Sequence, residues 1–145
     1  MKPFRCPECG GEVRSFAKAG RTTRYGAMEL DVPASLQIPT CSKCGEEYID
    51  AKTASLIDAA AEPLYRERLR TMAKDAIEAL TQKHEQKLIE KILDLSHGYL
   101  SHLRSGKRTP TAELVANLTM LARHPAQVKE IEGLWSKGAG RRKAS

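Results

Sequence analysis

Apolar residues along the chain follow two rhythms. Up to about residue 50 they fall in short runs, EVRSFAK, RYGAMEL and ASLQI, broken by Gly20, Pro33 and Pro39. Short strand-like runs cut by turn formers predict a small β-rich unit over residues 1–50. From Ala51 the rhythm lengthens. Leu64, Leu69, Met72, Ala73, Ala76, Ile77 and Leu80 recur at the spacing of one helix face. Pro63 lacks an amide hydrogen and fits best in a first helical turn. The pattern therefore predicts a short helix near 51–60 and a longer one from about 63 to 82.

The later part reads as short helices. Glu85–Leu93 carries Leu88, Ile89, Ile92 and Leu93 on one side. Ser96 is the expected N-cap of a segment over 96–105, which Gly106 ends. Thr109 or Thr111 then opens an amphipathic helix with Leu114, Val115, Leu118, Leu121 and Ala122, and His124-Pro125 stops it. A last helix, about 126–136, holds Val128, Ile131, Leu134 and Trp135. Residues 137–145 read as a disordered basic tail. The domain reading is thus 1–50, connecting helices over 51–83 whose latter part can join the next domain, and a helical domain over 84–136.

Length and charge narrow the function. A chain of 145 residues fits one compact domain or two small ones. The opening MKPFRCPECGGEV has no apolar core of a signal peptide, and no apolar run reaches the ~18 residues of a membrane span. The expectation is a cytoplasmic protein without a membrane partner. Net charge is +6, unevenly spread: residues 85–145 hold eleven basic against six acidic side chains, while residues 1–50 balance. A basic C-terminal part points toward nucleic acid.

All four cysteines fall in two pairs, Cys6-Pro-Glu-Cys9 and Cys41-Ser-Lys-Cys44, each followed by glycine. Two CxxC turns supply the four soft ligands of a tetrahedral Zn2+ site. A redox pair needs only one such turn near a βαβ pattern, and none is present. Four thiolates fill the shell, so one structural zinc ion is expected at Cys6, Cys9, Cys41 and Cys44, with no open position for catalysis. His97 and His102 lie five residues apart, roughly 140° around a helix. That spacing separates them from any one metal.

Segment 85–110 has instead the layout of a helix-turn-helix. Two short helices meet at Asp94-Leu95-Ser96, with Ile89, Leu93, Leu95, Leu100 and Leu103 in contact between them. The second helix would present His97, Tyr99, Ser101, His102 and Ser105, with Lys107 and Arg108 placed for phosphates. The bland alternative is a helical bundle with a solvated polar face. Histidine readers would bind DNA more tightly as pH falls toward about 6.

Ser96 through Pro110, S-x-x-x-L-S-x-L-x-x-G-K-R-T-P, closely resembles the recognition helix and following loop of Xre/Cro-type repressor domains. Gln86 resembles the glutamine that opens their second helix and touches phosphate. Over residues 3–135, the order CPxCG, VPA…C-x-x-CGE, helices and LTMLARHPAQVKEIE resembles the MqsA/YgiT family, antitoxins of type II toxin–antitoxin systems. The resemblance implies a zinc-ribbon-like N-terminal unit that binds a toxin. It also implies an all-α Xre/Cro-type domain that forms a homodimer and represses its own operon at a palindromic double-stranded DNA operator. Carried over by position, the base readers are His97, Gly98, Ser101 and His102, and the phosphate contacts are Gln86, Ser105, Lys107 and Arg108. The family has Asn and Arg where this chain has Gly98 and His102, so the operator should differ. Arg104 sits where such domains often have a glutamate paired to an upstream arginine; Asp75 or Glu78 is the expected partner. Glu90 replaces a small packing residue.

Other residues read more plainly. Trp135 is expected in the core or at a dimer interface. Arg66, Arg68 and Arg70, interleaved with Glu62 and Glu67, read as a solvated helix surface. Nothing in the spacing of Arg21, Arg24 and Tyr25 demands a partner. No nucleophile–base–acid set stands out, so no enzyme is expected. Two other readings stay open: a zinc-finger regulator without a toxin, and a zinc-ribbon protein- or RNA-binding adaptor with a helical dimerisation bundle.

Overall fold

A computed structural model describes residues 2–136; the expected basic tail at 137–145 lies outside the described residues. Five strands come first: β1 (Phe4–Arg5), β2 (Glu12–Ala17), β3 (Thr22–Tyr25), β4 (Met28–Asp31) and β5 (Gln37–Cys41). They form two antiparallel sheets, one ordered β1-β2-β5 and one a β3–β4 hairpin. The first sheet pairs Val13 with Cys41 and Phe16 with Ile38. The RYGAMEL run folds into the hairpin, with Tyr25 opposite Met28 across a two-residue turn. The ASLQI run is shifted: the Leu36 amide turns back onto the Pro33 carbonyl at 3.0 Å, and the strand begins at Gln37.

Helix α1 spans Ala51–Thr81 without a break and carries Pro63 inside it. This corrects the expected division into two helices at Pro63. An internal proline costs about 3 kcal/mol. Buried residues on both sides outweigh that cost: Ile57 and Ala61 before it, and Leu69, Ala73, Ala76, Ile77 and Leu80 after it. Leu64, counted on the buried face by its spacing, is exposed. Asp50 starts the helix, its carboxylate accepting the Thr53 amide at 2.7 Å.

The chain parts into two compact units between Tyr65 and Arg66, inside α1, so the latter part of α1 belongs to the second unit. The first unit packs Ile57 with Val32 and Ile38, and separately packs Val13 with Cys6 and Cys41. The second unit adds α2 (Gln86–Ile92), α3 (Tyr99–Arg104), α4 (Ala112–Arg123) and α5 (Gln127–Trp135). Its core joins Ala76, Ile77 and Leu80 of α1 to Ile89, Ile92, Leu100, Leu103, Leu118, Leu121 and Val128.

The join between α2 and α3 differs from expectation. Ser96 does not cap α3; its carbonyl accepts the Tyr99 amide in the turn before it. The N-cap is Gly98, at φ 81, a left-handed conformation that glycine adopts without a Cβ clash. Glu90, 3% exposed, supplies the missing acceptor, its carboxylate taking the Leu100 amide at 3.1 Å. This glutamate therefore does more than fill a packing position: it ties α2 to the first turn of α3. Thr111, not Thr109, caps α4, its hydroxyl accepting the Leu114 amide at 3.2 Å.

Candidate functional site

The two cysteine turns are built alike. The Cys6 amide donates to the Gly11 carbonyl and the Cys6 carbonyl accepts from Gly10; the Cys41 amide donates to Glu46 and the Cys41 carbonyl accepts from Gly45. Gly10 and Gly45 sit at φ 72 and φ 78, which is why each pair is followed by glycine. Strand pairing of β2 with β5 brings the turns together, and all four Sγ atoms lie within 4.8 Å of one another. Cys9 and Cys41 sulfurs are 3.4 Å apart, and Cys6 and Cys44 sulfurs 3.7 Å. Sulfurs about 2.3 Å from a shared tetrahedral metal stand roughly 3.8 Å apart. The four cysteines could hold a metal ion.

Electrostatics favours the same use. The Tyr48 hydroxyl, 2.9 Å from Cys6 Sγ, together with local amides, lowers the Cys6 thiol from its ordinary value to about 6. Amides of Cys44 and Lys43 lower Cys41. Against the pull of the Glu46 amide, the Cys9 sulfur, desolvation and the sulfurs of Cys41 and Cys6 push the Cys44 thiol up to about 12. The cluster thus favours ionisation at some sulfurs and resists it at Cys44; a divalent cation at its centre would remove that resistance. Tyr48 itself is raised, chiefly by its hydrogen bond to Cys6. Sequence reasoning missed Tyr48, although a phenol four residues after Cys44 was a usable signal.

In the second unit, α3 exposes Ser101, His102 and Arg104, and the residues after it expose Ser105, Lys107 and Arg108. His97 is exposed in the turn before it. The structure joins Gln86 to this face: its side-chain amide donates to Ser101 Oγ at 2.9 Å and its carbonyl accepts from Arg104. Arg104 therefore pairs with Gln86, not with Asp75 or Glu78. Those two acids line an open groove of about 500 Å³ together with Arg104, but its guanidinium bonds the Gln86 amide oxygen between α2 and α3. The Arg108 guanidinium stacks on the Tyr99 ring at 5.6 Å, and the Lys107 amide donates to the His102 carbonyl. Gly98, counted among the base readers, is needed for backbone geometry. Arg104 was legible in principle, standing three residues after Ser101 on the same helix face.

Three other expectations change. Arg21 is 7% exposed and organises the first unit: it bonds Glu47, the carbonyls of Phe16 and Leu36, and Thr40 Oγ1. Arg70 is half-buried rather than solvated and donates to Thr109 Oγ1 at 2.9 Å. Trp135 is not a core residue. It is 68% exposed, its indole N–H donating to the Ile92 carbonyl at 3.0 Å, and it lines a groove with exposed Met120. Among the described residues, no helix is long and apolar enough to cross a membrane.

No family model matches the chain, and no curated protein matches it.

Proposed function

We propose that the chain is a sequence-specific DNA-binding repressor, with one structural zinc ion in its first unit and a helix-turn-helix made by α2 and α3. One observation carries the reading. The exposed face of α3 is polar and pre-ordered, with Ser101 and Arg104 both hydrogen-bonded to Gln86 of α2. A solvated face of a bundle has no need of such a bridge. In the complex, α3 lies in the major groove, where Ser101 and His102 meet base edges, joined by His97 from the turn before it. Ser105, Lys107 and Arg108 meet phosphates around the end of the helix. Zinc, held by Cys6, Cys9, Cys41 and Cys44, closes the loop between the two turns.

Exposed Met120, Leu134 and Trp135 support a homodimer, since an apolar surface of this kind suits a self-complementary contact. Such a dimer reads a palindrome whose half-sites stand about 34 Å apart. The resemblance of residues 3–135 to MqsA/YgiT antitoxins supports a cytoplasmic antitoxin that binds a toxin through the first unit and represses its own operon.

The test is binding of the zinc-loaded protein to the DNA upstream of its own gene, over a series of salt concentrations. Affinity should fall as salt rises, and His102→Ala with Lys107→Ala should weaken binding at least tenfold, about 1.4 kcal/mol. Unchanged binding by the double variant defeats the helix-turn-helix reading. A small toxin-like reading frame beside the gene, neutralised on co-expression, supports the antitoxin role; its absence leaves a regulator without a toxin.

A further inference from the structure

The likeness of the two cysteine turns extends to the amides around their sulfurs. The first sulfur of each pair accepts from amides two and three residues on: Glu8 and Cys9 for Cys6, Lys43 and Cys44 for Cys41. The second sulfur accepts from an amide two residues on: Gly11 for Cys9, Glu46 for Cys44. One side chain breaks this equivalence. Tyr48 places its hydroxyl 2.9 Å from Cys6 Sγ, and among the described residues no other hydroxyl bonds a cysteine sulfur.

Tyr48 is aimed. Its ring meets Phe4 edge-on at 5.2 Å, and its backbone amide donates to the Pro39 carbonyl at 2.9 Å. Burial adds a second asymmetry. Cys6 and Cys41 are each 2% exposed, Cys9 is half-buried, and Cys44 is open to solvent.

We propose that Tyr48 is a positioning residue of the metal centre, holding Cys6 as the thiolate that stays on the metal and leaving exposed Cys44 as the ligand that opens first. A hydrogen bond to a metal-bound thiolate fixes its lone-pair direction and draws charge off the sulfur, which makes it a weaker nucleophile. Cys44 lacks that donor and meets solvent directly. Metal exchange and electrophilic attack therefore begin at Cys44. The inference rests on the metal reading of the four cysteines.

The experiment uses the full chain loaded with zinc and a substoichiometric dose of iodoacetamide, with labelled cysteines mapped by peptide mass spectrometry. Cys44 should carry most of the first label and Cys6 the least. Tyr48→Phe keeps the ring but loses the hydroxyl, and should raise the Cys6 share several-fold. In the cobalt-loaded protein the same variant should move the thiolate-to-metal charge-transfer band to lower energy, a change that loss of packing alone would not give. Phe4→Leu keeps the hydroxyl but frees the ring, and should move the Cys6 share the same way by less. That variant serves as the test if Tyr48→Phe does not fold. An unchanged Cys6 share and band in a variant that still binds one zinc overturns the role of Tyr48 and leaves the metal centre standing. A wild-type chain that takes up no zinc or cobalt overturns both.

Discussion

The two units of this chain group their buried apolar side chains differently. Before Tyr65, the buried apolar side chains fall into small separate groups, one of them built mainly from cysteines. After Arg66, ten buried residues from α1 to α5 form a single core. The first unit also spends a buried arginine, Arg21, on tying its loops together, a device that helps where few side chains are available for packing. The difference teaches that the cysteines stand where a core would otherwise be. A metal ion held there would replace hydrophobic burial as the source of folding free energy.

The largest test removes the metal. Apparent binding free energies of structural zinc sites are about 10–16 kcal/mol, so Cys41→Ser or a strong chelator should unfold the first unit. Amide exchange should show protection lost across β2 and β5, with α2 to α5 still protected. Simultaneous loss in both regions would erase the contrast. The converse variant is Leu100→Ala, which opens a cavity in the single core and should destabilise the second unit by about 2–5 kcal/mol without releasing metal. Calorimetry with a metal indicator separates the two effects. A smaller loss follows from Glu90→Ala, which strips the acceptor from the buried Leu100 amide, about 1–3 kcal/mol in denaturant melts. Glu90→Gln keeps an oxygen there and should recover most of it; no recovery would mean that packing, not the hydrogen bond, is what Glu90 provides.

The smallest effect concerns Asp50. Hydrogen bonds from the Thr53 amide and hydroxyl hold its carboxyl below the usual aspartate range. A carboxyl depressed in the folded state contributes stability above its unfolded value of about 3.9, and that contribution disappears as pH falls through the lower folded value. An NMR titration of the Asp50 carboxyl in the zinc-loaded chain should show a midpoint below about 3.9. A midpoint at or above that value removes Asp50 as the cap of α1.

What the sequence revealed and what it hid divides by range. The cysteine pairs, the glycines after them, the end of α3 near Gly106 and the stop at His124-Pro125 are local, and they are legible from neighbouring residues. Ser96 misleads as a helix start because the acceptor that replaces it comes from Glu90, on another helix. Pro63 misleads because its penalty is local, whereas the burial that offsets it comes from residues on either side of it along α1. Arg21 offered no local sign at all: its partners reach from Phe16 to Glu47, and only the fold gathers them. For Trp135, type and periodicity leave core and dimer interface both open; its exposure excludes the core, and its indole N–H bonds the Ile92 carbonyl. In the candidate interface, the exposed polar positions were legible from spacing, whereas the Gln86 bridge to Ser101 and Arg104 depends on how α2 and α3 meet.

Pro63 has one more consequence. It cannot donate the hydrogen bond that would run back to Ala59, so the ladder of α1 lacks a rung two residues before the units part. Helical order propagates one bond at a time, and restarting it past a gap carries the cost of a new nucleus. A missing rung there acts as a firebreak. If the first unit unfolds and its half of α1 frays, the fraying should meet an existing gap at Pro63 instead of running on toward Ile77 and Leu80. One unbroken helix can thus serve two units that melt separately.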